Sequence, residues 1–296
     1  MELLGYILQQ LVNGLQLGAV YALIALGYTM VYGVLRLINF AHGDIFMFGS
    51  FVAYYLIAKW QMPLPLVFMI TMAATAALGL LVEKVAYKPL RAAPRISLLI
   101  TAVGVSLFLE YFLSLNALFT PNYIAFPRPF EVVDYDLSLV EITNIQLIIF
   151  SVTAASLLLL YLLVYRTRHG RAMRAVSHDH ETAALMGINV DATISFTFMI
   201  GTALAGIGGI LYAFAYPQIN VFMGIMPGIK SFIAAVLGGI GLVHGAVLGG
   251  IVIGVSEVCV SAFVSSTLRD GVIFVILLLV LLFRPSGFFG KRREKV

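Results

Sequence analysis

Apolar runs near or above 18 residues recur along this chain. Runs of that length exceed what the helices of a soluble core need and match the roughly 30 Å hydrocarbon layer of a bilayer. The rest of the chain leaves little room for another solvent: 61% of residues are hydrophobic and 11% charged, against about 25% charged in ordinary soluble domains. The expected fold is therefore all-α, a single polytopic helical membrane domain over residues 1–296. About nine transmembrane segments are placed at 7–34, 45–58, 63–82, 96–119, 144–165, 191–216, 229–243, 246–264 and 271–284.

Orientation follows from the Lys/Arg bias. With the first span running outside to inside, the cytoplasmic side receives Arg36, Lys84, Lys88, Arg91, Arg95, Arg166, Arg168, Arg171, Arg174, Arg284, Lys291, Arg292, Arg293 and Lys295, which is 14 of the 18 basic residues. Lys59, Arg128, Lys230 and Arg269 stay on the other side with the acidic loop Thr120 to Thr143. The N-terminus is thus expected outside and the C-terminus in the cytoplasm. The first run follows no Lys or Arg and shows no small-residue cleavage pattern, so it is expected to remain as a helix. Basic residues at span ends account for the net charge of +4, so no nucleic-acid partner is expected.

Length raises two structural questions. Residues 4–34 as one helix would reach about 46 Å at about 1.5 Å per residue, so an interfacial N-terminal helix or a strong tilt must absorb the excess. The segments 45–58 and 229–243 are short, and they adjoin Gly- and Pro-containing stretches as broken or re-entrant helices do. Gly201, Ala205 and Gly209, then Gly241, Gly245 and Gly249, with Gly250 and Gly254 beside them, place small residues every four positions. That spacing lets helix backbones approach closely.

Catalytic signatures are absent from the sequence. Neither the phosphate-cradling G-x-x-x-x-G-K-[ST], the G-x-S-x-G elbow nor H-E-x-x-H occurs, so ATP hydrolysis, if it drives this chain, belongs to another subunit. The lone Cys259 permits no internal disulfide and is expected as a small buried hydrophobe. His178 and His180, two apart on a helix, point about 200° apart. They are expected as solvated loop histidines, and no metal or cofactor is expected.

Two sets of residues are functional candidates. In the basic loop Arg166 to Val190, Asp179 is placed to cap a helix of about two turns, Glu181 adds charge to its first turn, and Gly187 ends it. Such a helix is marginal alone in water, so docking must hold it, with Ala183, Ala184, Leu185 and Met186 offering apolar contact and Arg171 and Arg174 charge. The second set is Glu110 and Glu257 within apolar stretches, and Asn39, His42 and Asp44 in a polar break before the second span. Such groups face protein or a water-filled route, which makes them translocation-path candidates.

The segments YALIALGYTMVYGVLRLINFAHGDIFMFGSF at 21–51, EKVAYKPLR at 83–91, GRAMRAVSHDHETAALMGINV at 170–190, GTALAGIGGILYA at 201–213, GGIGLVHGAVLGGIVIGVSE at 238–257 and LLFRPSGFFG at 281–290 together resemble permease subunits of bacterial ABC importers for branched-chain amino acids, the LivH type. The resemblance covers nearly the whole chain. It implies a second homologous permease subunit, two cytoplasmic ATPase subunits and a periplasmic amino-acid-binding protein as partners, with Gly170 to Val190 as the segment that couples to an ATPase. A cousin family that carries urea shares much of the pattern, and an ion-coupled secondary transporter using Glu110 and Glu257 is the competing class.

Overall fold

The computed structural model describes residues 2–290 apart from 36, 92, 116, 117, 120 and 285. Arg36, Lys291, Arg292, Arg293 and Lys295, counted above on the inner side, lie outside the described residues, as does Thr120. Helices dominate: α1 (Glu2–Leu35), α2 (His42–Ala58), α3 (Leu64–Val82), α4 (Arg95–Leu113), α5 (Asn144–Arg166), α6 (Arg168–His178), α7 (His180–Leu185), α8 (Val190–Ala215), α9 (Ile225–Gly238), α10 (Val243–Phe263) and α11 (Arg269–Phe283). A π turn (Glu83–Tyr87) and a 3-10 turn (Lys88–Leu90) prolong α3. The described residues also hold four short strands: β1 (Ile124–Ala125), β2 (Asp134–Asp136), β3 (Glu141–Thr143) and β4 (Gln218–Ile219), with β1 antiparallel to β4 and β2 to β3.

Among the described residues, six helical segments are long and apolar enough to cross a membrane: Leu3–Leu35, Leu64–Leu90, Ile96–Leu113, Asn144–Arg166, Val190–Ala215 and Val243–Phe263. The helices α2, α9 and α11, of 17, 14 and 15 residues, fall short of the roughly 20 that a full crossing takes. Local chemistry sets several helix starts. Pro63 and Pro94 stand extended before α3 and α4, where a missing N–H costs nothing. Thr143 starts α5 with a capping box: its hydroxyl accepts from the Gln146 amide at 3.1 Å, and its own amide donates to Gln146 Oε1 at 2.9 Å.

The helices α1 and α8 form the buried centre, while α3, α4, α5 and α10 keep most of their apolar surface exposed, as a bilayer allows. Small residues bring the backbones together. A Cβ on Gly254 would lie 2.2 Å from Gly18 N, and one on Gly250 2.5 Å from Ala22 N, which seats α10 on α1. Gly209 of α8 lies against the carbonyl of Phe46, and Ser50 donates to the Gly209 carbonyl at 3.0 Å, which seats α2. The small-residue stripes therefore serve close packing, with one exception. Gly241 sits not on α10 but in the turn before it, where Gly239 and Gly241 take φ of +100° and +96°, a region open to glycine at little cost.

Helix α1 is continuous over its 34 residues, so no separate interfacial helix absorbs its length. Its projecting end is instead sheathed by the β2–β3 hairpin. Gln9 donates to the Glu141 carbonyl at 3.0 Å and accepts from the Glu141 amide at 2.8 Å, and Gln146 donates to Asn13 at 3.0 Å.

Candidate functional site

The loop between α5 and α8 holds two helices where the sequence reading expects one. Thr167 joins α5 to α6, donating to the Leu163 carbonyl at 2.6 Å and accepting from the Gly170 amide at 3.0 Å. Along α6, Gly170, Met173 and Val176 turn inward at a spacing of three, and Arg168 and Arg171 stay outside. Gly170 is the contact point: a Cβ there would stand 2.2 Å from the carbonyl oxygens of Leu163 and Val164. Arg174 bonds the Val164 carbonyl and lies 5.4 Å over the Tyr165 ring. Expected as a docking charge, it pins α6 to the end of α5.

Asp179 caps α7 as expected, its carboxylate accepting from the Thr182 amide at 2.6 Å. That donor, with the Thr182 side chain, holds the Asp179 carboxyl below its ordinary value. Glu181 stands in the first turn, and Gly187 ends the helix at φ +81°. The amides of Gly187 and Ile188 donate to the carbonyls of Ala184 and Ala183 at 2.9 and 3.1 Å, which satisfies the last turn. Asn189 then caps α8 by accepting from Ala192 at 3.0 Å.

The two faces of α7 differ sharply. Ala183, expected to face outward, is buried in an apolar cluster with Val34 at the end of α1, Leu37 just past it, Val176 of α6 and Phe198 of α8. His180 is exposed, as expected of a solvated histidine, and also sets a ring nitrogen 2.8 Å from the Val34 carbonyl. Ala184 faces outward, and Leu185 and Met186 are 87% and 79% exposed. The elbow is fastened to α1, α5 and α8 on one side and offers two large apolar side chains on the other.

A charged knot beside the elbow escaped the sequence reading. Arg91 bonds Glu83 and, at 2.5 Å, Asp191; Lys88 reaches Asp191 at 2.8 Å; and Ser195 donates to Glu83 at 2.7 Å. It ties the turns after α3 to the first turns of α8. The signal was available in the one acidic residue, Glu83, set among the basic residues of EKVAYKPLR.

The path candidates separate into two groups. Asn39 accepts from Tyr87 at 2.7 Å. His42 and Asp44 lie not in a break before α2 but in its first turn, both buried. The His42 ring sits 4.6 Å from that of Tyr28, Asp44 accepts from Ser106 at 2.6 Å, and the Glu110 carboxyl is within hydrogen-bonding reach of Asp44. Beside them the starts of α2 and α9 meet, a Cβ on Gly43 falling 2.5 Å from the Gly224 carbonyl. Glu257 is elsewhere. It accepts from Tyr21 at 2.8 Å and pairs with Lys230 at 2.5 Å. Tyr21 and Tyr28 are two turns apart on α1, so the groups stand about 10 Å apart along it. Lys230, counted above with the external basic residues, is buried in an apolar helix, as its apolar neighbours in the sequence indicate.

Residues 10–281 match the family described as branched-chain amino acid transport system, permease component. The high-affinity branched-chain amino acid transport system permease protein LivH of Escherichia coli (strain K12) is 41% identical over 98% of both chains. The corresponding permease protein BraD of Pseudomonas aeruginosa is 43% identical, again over 98% of both. A probable branched-chain amino acid transport permease protein LivH of Methanocaldococcus jannaschii is 30% identical over 93% of this chain and 90% of its own. Among solved structures, PsaBC from Streptococcus pneumoniae in complex with Fab aligns with 94% of this chain and 92% of its own at a TM-score of 0.50 and 13% identity, a likeness of fold.

Proposed function

The chain belongs to the family of permease components of branched-chain amino acid transport systems, and from that membership we propose that it forms half of the inner-membrane path through which leucine, isoleucine and valine enter a bacterium. A second permease of the same family forms the other half. Two cytoplasmic ATPases supply the energy and a periplasmic protein delivers the amino acid. The whole of residues 1–296 serves as one transmembrane domain, its N-terminus outside and its C-terminus inside.

The observation that carries the coupling is the two-faced elbow α6–α7. Leu185 and Met186 stand in water on a segment whose other face is already bonded to three membrane helices. Burying each in a partner's groove is worth about 1.5–3 kcal/mol, with Arg171 and Glu181 at the rim for orientation. When the ATPases close, the push on α7 reaches α1 through His180 and Ala183, α5 through Arg174, and α8 through Asn189. Rigid-body motion of that group against the second permease then opens one side and closes the other.

Serine at both Leu185 and Met186 tests the elbow without touching its buried face. ATPase docking should weaken by on the order of 100-fold, with uptake lost and the permease still folded; unchanged docking and uptake would sink the assignment. Binding-protein-dependent uptake with leucine, isoleucine, valine and urea in competition tests the substrate. Displacement by the three amino acids is expected, and displacement by urea alone would overturn the reading.

A further inference from the structure

A cavity of about 240 Å³ opens between the first half of α1, the last turns of α10 and the start of α11, with Gln10, Leu17, Tyr216, Glu257, Val258 and Arg269 in its lining. Its volume lies below the roughly 300–1,000 Å³ of sites that take drug-sized ligands. On the same measure a single water needs only about 10–15 Å³. A single free amino acid has room there.

Two charges, Glu257 and Arg269, line it, and two more, Lys230 and Asp270, pair with them. Lys230 bridges Glu257 at 2.5 Å and Asp270 at 2.8 Å, while Arg269 Nε stays 3.5 Å from Asp270 and 3.9 Å from Glu257. Two cations and two anions sum to zero, so a ligand of net charge would unbalance the site and a zwitterion would not. The commitments of the two lining charges differ. Glu257 has accepted one bond on each oxygen, and a carboxylate offers about four acceptor positions, which leaves room for an ammonium. Arg269, half exposed, makes none of the described hydrogen bonds, and its planar fork matches a carboxylate. Leu17 and Val258 between them supply an aliphatic wall. Structure alone does not call for this arrangement. Charges placed among apolar spans are costly, and apolar side chains of like volume often hold a fold as well or better.

We propose that Glu257 and Arg269 form a two-point subsite for the α-ammonium and α-carboxylate of the transported amino acid. The inference rests on the transport reading above and specifies where the permease itself meets its solute. The site lies at the end of α1 sheathed by the β2–β3 hairpin, the outer end by the Lys/Arg bias, where a delivered amino acid arrives. It recognises what leucine, isoleucine and valine share, and leaves the choice among aliphatic side chains to the delivering protein.

The test uses the assembled permease–ATPase complex in detergent, titrated with leucine, leucinamide, 4-methylpentanoate and glycerophosphoethanolamine and read by calorimetry and ligand-observed NMR. Wild type should bind leucine weakly but saturably, with leucinamide and 4-methylpentanoate at least about 10-fold weaker. Arg269→Gln should weaken leucine by about 10-fold and leave leucinamide within about twofold, with Arg269→Lys between. A variant that merely misfolds would lose both ligands alike. Because Glu257 holds Lys230, Glu257→Gln serves only as the mirror experiment, in which 4-methylpentanoate should be the ligand spared. The proposal is overturned by an absence of saturable leucine binding below about 10 mM, by equal losses for leucine and leucinamide in Arg269→Gln, or by glycerophosphoethanolamine competing as well as leucine, which would assign the cavity to a lipid headgroup. Normal leucine uptake by the full system alongside any of these results would leave the transport reading intact, whereas a system that carries no branched-chain amino acid would fail that reading itself.

Discussion

Asp179 shows what one side chain contributes to the elbow. Its carboxylate satisfies an amide that a two-turn helix cannot satisfy internally, and its carboxyl is held below the ordinary 3.8 by the Thr182 donors. A lowered folded-state pKa gives stabilisation that is fully present above the unfolded value and fades as pH falls through the folded one. Protection of the Thr182 amide, its exchange rate taken relative to the intrinsic rate at the same pH, should therefore stay flat between about pH 8 and pH 5 and fall only under acid well below pH 4. Asp179→Asn should keep the slow exchange, since asparagine caps as well, and Asp179→Ala should lose it at every pH; equal exchange in all three would show that docking alone holds α7. Gly170 answers to a different constraint. Gly170→Ala places a methyl 2.2 Å from two carbonyl oxygens and should cost about 1–3 kcal/mol, read as a lower Tm of the purified subunit. Caps such as Asp179 and Gly187 were legible in the sequence because their partners lie within three or four residues. The roles of Arg174, Ala183 and His180 were not, because a partner brought there by the fold decides each: the Val164 carbonyl, the α1–α8 cluster, the Val34 carbonyl.

The helices were legible for a related reason. A bilayer forces every spanning segment to satisfy its own backbone, so apolar length announces a helix before any packing is known. Helix α6 gives no such announcement. Its inward residues are Gly170, Met173 and Val176 amid arginines, too few and too small to look like an apolar face, and it persists because α5 and α8 cover them. The α1–α10 crossing has the opposite character, since its small residues were visible and only their partners were not. Within lipid no apolar surface is hidden from water by association, so contact distance carries the energy. Gly254→Val should separate the pair and lower Tm, at a cost of about 1–3 kcal/mol. Gly104→Ala in α4, where a Cβ would meet nothing within 4 Å, should leave Tm unchanged or raised by the better helix propensity. Thermal unfolding of the two purified variants side by side makes the comparison. A drop of similar size in both would mean that glycine acts through helix propensity instead of contact.

At the scale of the whole molecule, two ends with different chemistry are joined by α1. One end carries the β2–β3 hairpin bonded to Gln9, the zwitterion-sized cavity and the Glu257 group; the other carries the elbow fastened through Val34 and the charged knot of Glu83, Arg91 and Asp191. A force applied at the elbow acts on a helix of 34 residues, about 51 Å long, whose far half lines the cavity through Gln10 and Leu17. The coupling proposed above, between an inner motor and an outer solute, then needs no relay of side chains, only a rigid rod gripped at one end. The arrangement works in one orientation only, which the single native cysteine makes simple to check. In a Cys259→Ser background, Ser138→Cys, at the exposed hairpin turn, should react with a membrane-impermeant maleimide on intact inner-membrane spheroplasts. Met186→Cys should stay unlabelled until the membrane is opened, and then only while the ATPases are absent. Labelling of Met186→Cys from outside would invert the molecule, strand the elbow away from any ATPase and end the mechanical account. Labelling undiminished by bound ATPases would keep the orientation and move the grip to another part of the inner surface.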